Sequence, residues 1–307
     1  MLDLVFIVIC MLDTCSCGHH YLISANSSTD CPSFNQCHTL SEITQHPKEY
    51  FLSHTTVELL PGLHKLNNTG LIVISSLKNL TIIGSNYFLT SFDGYSYSES
   101  VVFCNNSGFY FQCTTSLKLI NITFNHCGAV LPLNSPMNLA LGFLDVSSLL
   151  LSGVTVEQNI GTGLFVNIVR RKVIIIHCNF VRNNEHIRRN HQCNPPNTSW
   201  TCYGGNVKLL FVPNLFRPHN QQSTDVEISH SLFSGGVAAL NYHNASKLQV
   251  IPQAAGLEMI CAPTFELNIT ISNTVFKNNS DPYGGNIYIA ASELSLRYPN
   301  NGAQLQY

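Results

Sequence analysis

Apolar and polar residues alternate over short runs that recur along the chain with one internal spacing. Each run leads to an anchor, at Tyr87, Phe124, Val156, Phe180, Phe233 and Phe276, and seven residues earlier stand Leu80, Leu117, Leu149, Val173, Val226 and Ile269. Five residues before the anchor the chain has Ile82, Leu119, Leu151, Ile175, Ile228 and Ile271, again aliphatic throughout. The position between these two varies freely, as Thr81, Lys118, Leu150, Ile174, Glu227 and Thr270. A period of two with one constant apolar face is the pattern of a half-buried strand.

Three residues after the anchor come Thr90, Cys127, Asn159, Asn183, Gly236 and Asn279, mostly types that tolerate turn conformations and bond nearby backbone. Small-residue pairs then lead toward a second apolar run in Gly204-Gly205-Asn206-Val207, Gly235-Gly236-Val237 and Gly284-Gly285-Asn286-Ile287, with Gly161-Thr162-Gly163-Leu164 as a variant. The anchors are separated by 37, 32, 24, 53 and 43 residues, so constant strands are joined by loops of unequal length. Such a repeat cannot bury its apolar face alone and does so by stacking on its neighbours. The expected fold is therefore all-β, a parallel solenoid with Phe124, Phe180, Phe233 and Phe276 in its core and Asn159, Asn183 and Asn279 laddered along one corner. Residues 39–51, with Leu40, Ile43 and Tyr50 interrupted near Pro47, predict a short N-terminal helix covering the open end.

Phe180-Val-Arg-Asn183 and Phe276-Lys-Asn-Asn279, with Gly204-Gly205-Asn206-Val207 and Gly284-Gly285-Asn286-Ile287, resemble the FxxN and GG-A/N-I/V motifs of polymorphic outer-membrane protein-type repeats. Residues 57–66, followed by Asn79-Leu-Thr-Ile-Ile-Gly84, are similar to the opening coils of pectin-lyase-like proteins. The resemblance spans about residues 55 to 290 and implies a right-handed parallel β-helix. Short degenerate motifs of this kind identify a fold better than a function. The domain organisation expected is a signal peptide over 1–18, a Cys-containing cap over 19–54 and the β-helix over 55–307. The chain stops soon after an intact repeat, so further coils or a membrane anchor are expected beyond it.

Composition points to an exterior compartment. The chain is 45% hydrophobic but only 10% charged, against about 25% in ordinary globular proteins, and Asn, Ser and Thr fill the polar positions. Residues 4–12 are apolar, of signal-peptide length and too short to span a bilayer, although Asp3 stands where a basic residue is usual. Asn-x-Ser/Thr acceptors begin at Asn26, Asn67, Asn79, Asn105, Asn121, Asn197, Asn244, Asn268 and Asn278. Of the 12 cysteines, cleavage near Cys17 leaves an odd number. Local separation favours Cys31 with Cys37, Cys104 with Cys113 and Cys193 with Cys202, in a connectivity the sequence leaves open. A net charge of −2 without a large basic cluster gives nucleic acid no electrostatic footprint.

Catalytic and metal patterns are sparse. The carboxylate candidates are Asp225 with Glu227 on one strand, and Glu258 with Glu266. Arg170, Arg171, Lys172 and Arg182, with Arg188 and Arg189, are the candidates for an acidic-glycan contact. No polygalacturonase-type Asn-Thr-Asp, Asp-Asp or His-Gly run is present, nor G-x-S-x-G. His126, His177 and His191 fall outside zinc-type spacing with the thiols, so no metal and no cofactor is expected. Trp200 with Tyr203 forms an aromatic loop suited to sugar or protein contact. The expectation is a secreted or cell-surface glycoprotein that is non-enzymatic, either a recognition or adhesion module displaying loops at 185–203, 212–225 and 241–265 to an extracellular protein or glycan, or a structural scaffold segment of a larger receptor. A divergent polysaccharide lyase or hydrolase is the alternative, and membrane association requires an anchor beyond the present C-terminus.

Overall fold

The structure is a computed structural model of the 307-residue chain, and it describes residues 18–25, 37–67, 70–85, 99–131, 137–184, 205–211, 222–237, 255–261, 265–280, 286–290, 294–297 and 304–305. Parallel strands dominate it, gathered into one sheet of 16 strands and one of 8. From Leu71 onward each circuit of the chain contributes to three ribbons in turn. The first ribbon stacks Leu71–Ser75, Gly108–Gln112, Val207–Phe211, Leu257–Cys261 and Ile287–Ala290 with the leading halves of Met137–Ser152 and Thr162–Ile176. The second stacks Thr55–Leu59, Asn79–Gly84, Ser116–Ile120, the trailing halves of the same two long strands, Gln222–Ser229, Phe265–Ser272 and Leu294–Arg297. The third ribbon is the smaller sheet, from Gly62–Lys65 to Gln304–Leu305.

Register is kept without slippage in the second ribbon. Leu80, Leu117, Leu149, Val173, Val226 and Ile269 are successive partners, as are Ile82, Leu119, Leu151, Ile175, Ile228 and Ile271, and all twelve are buried. In the third ribbon Phe124, Val156, Phe180, Phe233 and Phe276 are partners in the same way. The Phe180, Phe233 and Phe276 rings stack with centroids 5.1 and 4.6 Å apart, and none is exposed. Aromatic stacking at this spacing adds to the burial of the side chains themselves. The partner of Phe124 on the preceding circuit is Val102 and not Tyr87. Ser100 stands 16 residues after Gly84 in the sequence, and Tyr87 and Thr90 lie outside the described residues.

Corners are made by single residues in the left-handed region. Between second and third ribbons they are Asn121, Gly153, His177, His230 and Asn273, and after the third ribbon His126, Gln158, Arg182, Gly235 and Asn278. A non-glycine residue adopts this conformation at a cost of about 1–2 kcal/mol, so stacking has to hold it there. Inside the latter corner runs a continuous amide ladder. Asn159 Nδ2 donates to Asn183 Oδ1 at 2.9 Å, Asn183 to Asn206 at 2.9 Å, Asn206 to Asn279 at 3.0 Å and Asn279 to Asn286 at 2.8 Å. Gly236 holds the rung between Asn183 and Asn279, and a Cβ there would lie 2.8 Å from Asn206 Nδ2, so the missing side chain lets Asn206 pass across it.

The small-residue pairs mark the start of the first ribbon at Val207 and Ile287, but not at Gly235-Gly236-Val237. Val237 makes only an isolated bridge to Ser280, and that circuit enters the first ribbon at Leu257, after Ala255-Gly256. The segment 241–265 therefore contains a strand, and 212–225 ends in the first residues of Gln222–Ser229. At the N-terminal end the helix Leu40–Gln45 is capped by Thr39, which accepts from Glu42 N at 3.2 Å while Glu42 returns the bond at 2.8 Å. A second short helix, Pro47–Tyr50, follows, and Leu40, Ile43 and Phe51 join the same core as the strands.

Cys104 is bonded to Cys127 and not to Cys113. Cys104 and Cys113 lie at opposite ends of Gly108–Gln112, and five extended residues separate them by roughly 16 Å, beyond disulfide reach. Stacking of neighbouring circuits instead brings the Cα atoms of Cys104 and Cys127 to 4.7 Å. Cys113 is exposed as a thiol, and Cys37 is disulfide-bonded. Cys31, Cys193 and Cys202, like the expected signal segment, lie outside the described residues.

Candidate functional site

The outer face of the second ribbon carries the charged chemistry. Alternation turns Lys172, Asp225 and Asn268 outward in one row, and Ile174, Glu227 and Thr270 in the next. Lys172, Asp225, Glu227, Asn268 and Thr270 line a shallow hollow of about 420 Å³, floored by Val226 and Ile269. Lys172 Nζ lies 3.3 Å from Glu227 Oε2, and Asn268 Nδ2 donates to Asp225 Oδ1 at 3.2 Å. Every charged group in the hollow thus has a partner, and the Lys172 and Glu227 side chains remain 43% and 41% exposed.

Glu258 and Glu266 do not form a pair. Glu258 is 1% exposed on the first ribbon, where it accepts from Lys208 Nζ at 3.0 Å, whereas Glu266 is exposed at the start of a second-ribbon strand. Lys208 and Glu258 continue an outward row that includes Tyr110, Gly142 and Phe165. Tyr110, Leu139 and Phe165 make a second, smaller apolar cluster with Leu71, Leu144 and Leu210 packed against it. Burial, with Cys113 nearby as a lesser cause, pushes the Tyr110 hydroxyl up to about 12. This face is a covered surface and not an open cleft.

Of the basic candidates, Arg170 and Lys172 are ion-paired. Arg170 makes a two-pronged bond to Asp145, with Nε to Oδ1 at 2.6 Å and a terminal nitrogen to Oδ2 at 2.7 Å. The pair spans the corner where Asp145 is left-handed and the two long strands slip register between Val146 and Ser148. Arg182 lays its side chain beside Gly235, and Arg171 is exposed. Arg188, Arg189, His191, Trp200 and Tyr203 lie outside the described residues.

His126 sits at a corner, packed 5.1 Å from Phe103. His177 and His230 pack against each other at another, with centroids 4.9 Å apart and ring planes tilted by 33°, an arrangement that the repeat spacing did not reveal because it arises only when circuits stack. Among the described residues no group of three His, Cys, Asp or Glu side chains is placed to hold a metal ion. Cys178 is buried, and desolvation pushes its thiol up to about 12, which keeps it protonated and inert as a nucleophile.

The acceptor asparagines Asn67, Asn79, Asn105, Asn121, Asn268 and Asn278 are exposed or half-buried, with none in the core. Asn26, Asn197 and Asn244 lie outside the described residues. Among the described residues no helix is long and apolar enough to cross a membrane. No protein-family model matches the sequence, and neither a curated protein nor a solved structure matches the chain.

Proposed function

We propose that the chain is a right-handed parallel β-helix of the pectin-lyase-like kind, acting as a secreted or cell-surface glycoprotein that recognises or scaffolds and does not catalyse. Parallel strands in stacked, in-register sheets are what such a coil requires, and crossovers between parallel strands are right-handed in nearly all proteins. The observation that carries the functional reading is the placement of the described acceptor asparagines, Asn67, Asn79, Asn105, Asn121, Asn268 and Asn278, which lie outside the core. Glycans at these positions would solvate a surface poor in charge. The Cys104–Cys127 disulfide is compatible with an oxidising compartment.

The alternative, a polysaccharide-active enzyme, draws on the hollow holding Asp225 and Glu227. Two residues apart on one strand, they lie roughly 7 Å apart along the backbone, within the range used for inverting hydrolysis. A general acid there needs a desolvated carboxyl, however, and Asp225 is exposed while Glu227 is half exposed beside Lys172.

Expression of the full chain in an animal-cell host tests both readings. Secretion, glycans at several of the nine acceptors and a Cys104–Cys127 linked peptide are expected, with binding on glycan or cell-surface arrays and no release of reducing ends from acidic polysaccharides. An intracellular, reduced and unmodified product overturns the compartment, and saccharide cleavage abolished by Asp225→Asn and Glu227→Gln overturns the non-enzymatic reading.

A further inference from the structure

The hollow and the acceptor at Asn268 are one place, and this gives the carboxylates a role that neither has alone. Asn268-Ile269-Thr270 is an acceptor tripeptide lying in the middle of a parallel strand, so Asn268 and Thr270 both face outward into the hollow. The other described acceptors differ. Asn105, Asn121 and Asn278 stand at left-handed corners, where a substituent leaves the body directly, and Asn79 opens its strand. Asn268 stands inside its strand with a paired residue on each side, Asp225 and Ser295, whereas Asn79 is paired on one side only, with Ser116.

We propose that Asn268 carries an N-linked glycan whose first sugar lies in this hollow, held by Asp225, Glu227 and Lys172, and therefore covers the carboxylates. The inference rests on the secreted-glycoprotein reading above. In the transfer, the amide nitrogen forms a bond to C1 of a lipid-pyrophosphate-linked oligosaccharide, the bond from C1 to the pyrophosphate oxygen breaks, and one amide proton is given up. The other amide hydrogen remains to donate to Asp225 Oδ1, the contact already made at 3.2 Å, so the linkage is held toward the preceding strand. There it meets the Lys172 ammonium, the Glu227 carboxylate and the Thr270 hydroxyl, donors and acceptors suited to an acetamido group and ring hydroxyls. The Lys172 stem offers apolar surface to the sugar ring. The hollow, at about 420 Å³, is within the size class that holds small ligands.

A held glycan is a protected one. The test is site-resolved peptide mass spectrometry on the full-length secreted chain, following amidase release of glycans under native conditions. Release at Asn268 is expected to be slower than at Asn79 and Asn278 by about tenfold, the factor that about 1.4 kcal/mol of holding free energy supplies. The double variant Asp225→Ala, Glu227→Ala and the single variant Lys172→Ala should each bring the Asn268 rate toward the others. Both act on outward side chains, and an unchanged unfolding midpoint verifies that the fold is retained. Equal native release at all three sites, or an empty Asn268 beside occupied Asn79 and Asn278, overturns the seated glycan and leaves the secreted-glycoprotein reading standing. A chain with no glycan at any site overturns that reading, and the seated glycan with it.

Discussion

The two outer faces of the 16-stranded sheet use the same ion-pair chemistry in opposite surroundings. On the first ribbon Lys208 and Glu258 pair at 3.0 Å with side chains 5% and 2% exposed, beside a row of aromatic residues. On the second, Lys172 and Glu227 pair at 3.3 Å with both side chains more than two-fifths exposed. A buried pair has given up its hydration and is held by its partner, so it fixes the packing of one face. An exposed pair keeps its water, exchanges partners readily and leaves its groups available to a ligand. The covered face thus reads as internal structure and the open face as the one that meets solvent.

Removing charges one at a time should separate the two. Glu258→Gln removes the carboxylate next to the buried Lys208 ammonium and should cost about 3–5 kcal/mol, read as a lowered urea midpoint. Asp145→Asn keeps a residue suited to the left-handed corner but loses the charge facing Arg170, and about 1–2 kcal/mol is expected because that pair is only partly covered. Lys172→Ala should change stability by less than about 1 kcal/mol, an effect that fades at high salt. A Lys172→Ala loss as large as that of Glu258→Gln would erase the distinction between the faces.

What the sequence disclosed follows the same division. From Leu117 onward the second and third ribbons are legible because Leu117, Leu119 and their later equivalents sit at constant offsets from Phe124, Val156 and the later anchors, and stacking preserves those offsets as register. The first ribbon is far less legible. Its strands are separated from the third ribbon by connections of very different length, so Leu257 could not be found by counting from Phe233. Asn206 was visible in a Gly-Gly-Asn motif, but its place in the amide ladder depends on Gly236 standing opposite it in the next circuit. Asp225 and Glu227 are readable as same-face residues from alternation alone. Their contacts with Asn268 and Lys172 are not, because the partners lie 43 and 55 residues away and meet only when circuits stack.

The Cys104–Cys127 bond also bears on how the chain responds to force. Pulled from its two ends, a stack of this kind peels circuit by circuit, each one freeing its full contour length. The bond joins residues 23 apart across neighbouring circuits, so the intervening segment cannot extend while it is intact. Roughly 75 Å of contour is thereby kept in reserve at about 3.3 Å per residue, and reduction of one covalent bond releases it. Under tension this segment has two lengths, and the redox state of its surroundings chooses between them.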